Sequence, residues 1–209
     1  MRKSMRTITK AVLFGATLCG AAFVAPDAKA EAQTHDGFYL QLNAGLGYLS
    51  SSAEFPAPLS GEITYSGVTI PSSLLIGGTV GPVVIGGGFF GDYAPSPSVE
   101  MGGESADLED VTLTLIGIGM FADIYPNPKE GLHFQPFVGF GALEASYQGN
   151  AGGSDPTGLI LALGVGYDFW VGNEWSIGPM FRFDYAPLAL DDVNYNTIAP
   201  SLLCTFTYH

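Results

Sequence analysis

A chain of 209 residues with 20 acidic and 7 basic side chains carries a formal net charge of −13. That balance excludes nucleic acid as a partner, because gripping a phosphate backbone needs a basic footprint. The chain is 47% hydrophobic yet holds 29 glycines, a pairing that an ordinary soluble core does not call for.

The N-terminus has a basic start (Arg2, Lys3, Arg6, Lys10), a mostly apolar uncharged run over 11–24, and a small-x-small site at Ala28-Lys29-Ala30. That order predicts a secretory signal peptide over 1–30, cut after Ala30. An uncleaved anchor is the weaker reading, since the run falls short of the roughly 20 residues a helical span needs. Bulky Leu18 ahead of Cys19 argues against a lipoprotein site. What remains, 31–209, is expected to be one domain. It holds two bases (Lys129 and Arg182) against nineteen acids, a net of −17. Cys204 is its lone cysteine, so no internal disulfide is expected. No apolar run in this part reaches the length of a helical span, which excludes a membrane helix bundle.

Period two dominates from here on. In 37–49, Phe38, Leu40, Leu42, Leu46 and Tyr48 alternate with Gln41, Asn43, Gly45 and Gly47, which predicts a first strand. A polar loop is expected over 50–71, with minor alternation at 62–66, and a weak second strand over 72–80. Gly81-Pro82 is a tight turn into a third strand, 83–93, with Gly86, Gly88, Phe90 and Asp92 on one face. An acidic Pro/Ser/Gly loop follows over 94–107. A fourth strand, 109–125, sets Ile116, Ile118, Met120 and Ile124 against Gly117, Gly119 and Asp123. The run Asn127-Pro128-Lys129-Glu130-Gly131 is a turn by composition. The fifth strand, 132–147, opposes Val138 and Phe140 to Gly139 and Gly141, and a loop is expected over 149–156. The stretch 159–185 reads as a hairpin about Gly172-Asn173. Its odd positions are large and apolar (Leu159, Leu161, Leu163, Val165, then Phe181, Phe183, Tyr185). Its even positions are small or charged (Gly164, Gly166, Asp168, then Gly178, Arg182, Asp184). A loop over 190–196 and an eighth strand from 197 to the end complete the set.

The sidedness decides the solvent. A soluble barrel would turn the bulky apolar face inward, but eight strands enclose little more than close-packed side chains. The reverse arrangement puts Gly, Ala, Ser and a few ions inside and Leu, Phe, Tyr and Trp outside, in an apolar medium. Hydrocarbon leaves no backbone group free to bond water, so the sheet must close. The expected fold class is therefore all-β: an eight-stranded antiparallel up-and-down transmembrane β-barrel after a cleaved signal peptide. Tyr48, Tyr93, Tyr125, Tyr147, Trp170, Trp175, Tyr185 and Tyr208 fall near strand ends, as interfacial girdles do.

Four stretches, GFYLQLNAGLGY, PFVGFGALEASY, LALGVGYDFW and the terminal CTFTYH, resemble the small outer-membrane β-barrel family, which includes the OmpA transmembrane domain and OmpX/OmpW-type proteins. The likeness spans the mature chain as a pattern and carries no catalytic signature. It implies a monomeric barrel in a Gram-negative outer membrane, with periplasmic termini and extracellular long loops. Outer-membrane lipids, lipopolysaccharide and the barrel-assembly machinery are the implied partners. That family normally ends in a Phe read by the assembly machinery, whereas here Tyr208 is followed by His209. No peptidoglycan-binding domain is expected after the barrel.

Candidate chemistry is sparse. Arg182 is the one cation expected inside the wall, in a lumen polar network with Asp168, Asp184, Asp92, Asp123, Gln41 and Asn43. A low-dielectric Arg needs partners, so an ion-paired plug outweighs a solute-selecting constriction. Glu100, Glu104, Asp107, Glu109 and Asp110 cluster in one loop and Asp191-Asp192 in the last. They read first as solvated, repulsive loop surface and second as a divalent-cation bridge to lipopolysaccharide. Gly164-x-Gly166 lacks the third glycine and helix of a dinucleotide loop. His35, His133 and His209 are spread through the sequence with no Ser and acid expected beside any of them, so neither an enzyme nor a cofactor or metal is expected. Cys204 is expected to face lipid as inert filler. The functional expectation is a structural or surface-interaction barrel with acidic extracellular loops. The alternative is a narrow channel or lateral-transport barrel for a small or apolar solute, with an opening lined by Phe90 and Leu143.

Overall fold

The computed structural model describes residues 34–35, 37–56, 61–151 and 153–209. The expected signal peptide over 1–30 lies outside them. Twelve strands follow in chain order: β1 (Phe38–Phe55), β2 (Gly61–Val80), β3 (Val83–Pro95), β4 (Ser98–Met101), β5 (Glu104–Asp107), β6 (Val111–Ile124), β7 (Leu132–Tyr147), β8 (Asn150–Ala151), β9 (Thr157–Tyr167), β10 (Phe169–Trp170), β11 (Trp175–Leu190) and β12 (Val193–Tyr208). Eight of them, β1, β2, β3, β6, β7, β9, β11 and β12, pair antiparallel with their neighbours in that order. β12 then pairs back on β1, from Leu40↔Tyr208 to Glu54↔Asn194, and closes the barrel. The short β10 continues the wall beside β11, and β8 caps the end of β7.

Four expected loops are partly strand, 149–156 among them through the short β8. β1 and β2 run on through the polar segment to Phe55↔Gly61, so most of 50–71 is ladder. Polar composition reads as loop, but backbone pairing does not require apolar side chains. Hydroxyl pairs hold this extension together instead: Ser52 with Thr64 at 2.9 Å and Ser51 with Thr197 at 2.8 Å. Within 94–107, β4 and β5 form a hairpin laid on the edge of β2. Its two turn residues, Gly102 and Gly103, have φ of 62° and 85°, the left-handed pair that a tight two-residue hairpin turn demands. The last expected loop, 190–196, shrinks to the turn Asp191-Asp192, because Leu190 already faces Val193.

The outward face follows the parity wherever the sequence predicts one. Leu42, Leu46, Ile85, Phe89, Ile118, Met120, Val138, Phe140, Leu161, Leu163, Phe181, Phe183 and Leu202 form an exposed apolar belt round the wall. Tyr93, Tyr147 and Tyr185 sit outward toward the loop end. Tyr125 does not join a girdle: it shares parity with Asp123, two residues earlier, and is buried inside.

The inward face departs from expectation. Besides small and charged residues it carries Leu49, Leu75, Phe90, Leu113, Leu115, Phe121, Phe137, Leu143, Ile160, Met180, Leu188 and Leu203, all buried. Eight strands have room for them because glycines on neighbouring strands act as seats. A Cβ built on Gly117 would strike the rings of Phe90 and the side chain of Ile160, and one on Gly88 would strike Leu75. A Cβ on Gly119 would reach the ring of Phe137 and one on Gly164 the sulfur of Met180. Large side chains thus lie flat across bare backbone, and the lumen packs as a protein interior does.

Phe140, 71% exposed at the middle of β7, provides a test of the belt. Phe140→Arg is expected to destabilise the barrel by about 2–4 kcal/mol, the range for a cation at the bilayer midplane, and Tyr147→Arg near the loop end by about 0–1 kcal/mol. Urea titration of the protein refolded into lipid vesicles measures both. Equal losses would show that the belt does not sit in hydrocarbon.

Candidate functional site in the barrel interior

The seven polar residues expected in the lumen divide into two groups. The first sits at mid-height. Arg182 of β11 donates from Nε to Asp184 Oδ2 at 2.9 Å, and from a terminal nitrogen to Asp92 Oδ1 at 3.1 Å. Asp184 lies two residues along the same strand face, and Asp92 reaches across from β3. The guanidinium carbon is 4.7 Å from the Phe90 ring centroid, so a cation–π contact adds to the two ion pairs. Arg182 is 5% exposed and both carboxylates are 0% exposed. One cation is thus shared between two carboxylates. The value of the trio lies in mutual compensation, since any member alone would be an uncompensated buried charge.

The second group lines the lumen at the end that carries the short turns. Asp123 is its hub. It accepts from Tyr39 Oη at 2.6 Å and from Gln135 Nε2 at 3.0 Å, and its other oxygen lies 2.7 Å from His133 Nδ1. Gln135 Nε2 also reaches Gln41 Oε1 at 3.0 Å, which accepts in turn from Asn43 at 3.0 Å, and Asn43 donates to Ser73 at 2.7 Å. Asp168 accepts from Tyr125 Oη at 2.9 Å and from Thr205 at 3.2 Å. Asp123 and Asp168, expected beside Arg182, instead belong to this floor. Each strand fixes only the face of a residue, whereas its height depends on stagger between strands.

The histidines also gather here. His133 is the second residue of β7 and faces inward. His35 and His209 flank the two strands that close the barrel, and closure sets their rings 4.2 Å apart, centroid to centroid. Backbone bonds pin both: His35 N donates to Pro128 O at 3.1 Å and His209 N to Glu174 O at 2.9 Å. Tyr125 stacks on His35 at 3.7 Å. Burial holds the His35 imidazole down to about 4, aided by His133 nearby, and holds His209 lower still. Both rings are therefore neutral at pH 7.

The expectation that no histidine has a serine and an acid beside it is corrected by this geometry. His209 Nε2 lies 3.2 Å from Ser176 Oγ and 3.8 Å from Asp168 Oδ2. The reason is again closure, which brings residues distant in sequence to one floor. The arrangement is not a nucleophile relay, because serine and acid face the same ring nitrogen. A relay needs the acid on the opposite one, and an exposed hydroxyl; Ser176 is fully buried.

The acidic residues Glu100, Glu104, Asp107, Glu109, Asp110, Asp191 and Asp192 all lie exposed at the other end, on β4, β5 and the hairpin tips. Asp107 accepts from Ser98 at 2.7 Å. Among the described residues these carboxylates do not converge closely enough to share one cation. Cys204 is exposed on the outer face of β12.

A closed eight-stranded sheet, apolar round its outside and ion-paired within, defines a transmembrane β-barrel. Neither a protein-family model nor a curated protein matches the sequence. In three dimensions the chain is similar to Neisserial surface protein A, at a TM-score of 0.50 and 16% identity over 82% of this chain and 96% of that one. It is similar as well to the outer membrane protein OprG from Pseudomonas aeruginosa, at a TM-score of 0.50 and 12% identity over 86% of this chain and all of that one. The shared feature is the fold, that of the small eight-stranded outer-membrane barrels.

Removing the cation of the mid-lumen trio tests its bookkeeping of charge. Arg182→Met is expected to cost about 3–5 kcal/mol, the scale of an orphaned buried charge. The triple variant with Asp92→Asn and Asp184→Asn is expected to recover most of it. Urea unfolding followed by tryptophan fluorescence reads both, and a single variant as stable as wild type would show that the trio is not coupled.

Proposed function

We propose that the protein is a non-enzymatic, monomeric outer-membrane barrel of a Gram-negative bacterium. Its wall is a sealed support that displays acidic loops outside the cell. The filled lumen carries this reading. The mid-height section is blocked by Arg182, Asp92, Asp184 and Phe90, and the sections on either side by buried side chains. Phe90 and Leu143, expected to line any opening, are both 3% exposed and packed within the plug. A scaffold without a passage keeps its function in its loops. The Neisserial structural neighbour is a surface protein, which accords with this assignment.

Outer-membrane barrels keep short turns in the periplasm and extended connections outside. The turns at Gly81-Pro82, 125–131 and 171–174 share one end with His35 and His209, while the long β1–β2 hairpin and the β4–β5 hairpin lie at the other, which supports a periplasmic assignment for the first end. The acidic hairpins then face outward. They form a solvated, mutually repulsive loop surface, with divalent-cation bridges from single carboxylates to lipopolysaccharide phosphates as the second reading. Residues 1–30 are the export signal, and the assembly machinery inserts the remainder.

Planar-bilayer recording of residues 31–209 tests the sealed wall. The wild-type barrel is expected to be silent, and Arg182→Ala to stay silent as well, because the packed sections on either side of the trio remain in place. Steady conductance in the wild type, altered in ion selectivity by the substitution, would make the lumen the working site and replace this reading with a narrow transport barrel.

A further inference from the structure

We propose that the turn end of the barrel holds one divalent transition metal of the zinc class on His35, His209 and Asp168. The three are 1%, 3% and 2% exposed, and their ligand atoms all lie within 4.8 Å of one another. His35 Nδ1 is 3.2 Å from His209 Nδ1 and 3.1 Å from its Nε2. His209 Nε2 is 3.8 Å from Asp168 Oδ2. Metal–ligand bonds of about 2.0–2.2 Å hold neighbouring ligands roughly 3–3.5 Å apart, so two of the three pairs are at or just beyond coordination spacing. Two imidazoles and a carboxylate leave a position for water, and imidazole-rich sites suit zinc and its neighbours over calcium or magnesium.

The surroundings point the same way. Asp123 and Asp168 are two buried carboxylates joined through Tyr125, whose hydroxyl is 3.3 Å from one and 2.9 Å from the other. Among the described residues no Lys or Arg serves this floor: Arg182 is committed to Asp92 and Asp184, and Lys129 is exposed on a turn. His133 Nδ1 faces Asp123 at 2.7 Å, so Asp168 is the carboxylate without a close cationic partner, a gap that a bound metal ion fills. The His35 ring turns Nδ1 toward His209 and is locked by stacking on Tyr125 and by Trp170 at 4.7 Å. Tyr125 and Thr205 orient the Asp168 carboxylate from behind, as outer-shell partners do around metal ligands.

The ligands come from the segment before β1, the β9–β10 bend and the residue after β12. A metal there clasps the strands that meet at the closing seam. No sequence signature announces it, because the three ligands share no local spacing.

The test uses untagged, chelator-treated barrel in detergent, titrated with Zn²⁺ by calorimetry. One equivalent is expected to bind. His35→Gln, His209→Gln and Asp168→Asn are each expected to weaken it at least about tenfold, the loss seen even for an outer-shell partner. Glu100→Gln/Glu104→Gln, at the opposite end, is expected to leave this binding unchanged. Heat-modifiable mobility on gels shows whether each variant is folded. Should any fail to fold, X-ray absorption at the zinc edge of the wild type decides, with two imidazoles expected in the scattering. No saturable Zn²⁺ binding, binding removed only by the loop variant, or a zinc shell without imidazole would each overturn the proposal.

Discussion

The pairing of β12 with β1 is the constraint on which the rest depends. In hydrocarbon an unbonded N–H or C=O costs several kcal/mol and has no water to turn to. An open eight-stranded sheet would expose two such edges. The ladder from Leu40↔Tyr208 to Glu54↔Asn194 removes them. Once that seam exists, every strand has a fixed inside and outside, and Arg182 has no alternative to the lumen. The same seam carries His35 to His209 and converts two chain segments remote in sequence into one buried floor.

Inside the wall, three environments are stacked along the axis. Apolar side chains such as Leu49, Leu115, Leu143 and Leu188 fill the loop-side section. The Arg182 trio crosses the middle, and the hydrogen-bonded floor about Asp123 and Asp168 closes the turn side. Each is held together in its own way: close packing, charge compensation and a branched network of hydroxyls, amides and imidazoles. The network is the most specific of the three, because Tyr39, Gln135 and His133 must reach Asp123 together. Such networks fix one arrangement when every member is bonded.

Much of this was legible in the sequence, for a definite reason. A strand residue has only two directions to point, so period two settles facing as soon as one face is known to meet lipid. Leu42, Phe140 and Leu163 outward and Gln41, Asn43 and Arg182 inward all follow from that. What stayed hidden depends on relations between strands. Asp168 and Arg182 share parity but not height. Phe137 fits inside only because Gly119 lies beside it on the next strand. The polar ends of β1 and β2 pair through backbone that composition does not report. The histidine cluster was missed for the same reason, since nothing local to 35, 168 or 209 announces that closure will join them.

The apolar filling of the lumen has a consequence for the chain before it is a barrel. In β6 and β9, residues on both faces are apolar: Leu113 and Leu115 point in while Ile116 and Ile118 point out, and Ile160 is flanked by Leu159 and Leu161. Such segments have no water-loving side to present. They combine high strand propensity, little charge and no proline, the composition that drives unfolded chains to stack on one another. Many barrels with wet interiors cross an aqueous compartment with one polar face to solvate. This chain does not have that protection over its central strands. Before the barrel closes, its central strands are therefore open to pairing with those of another copy.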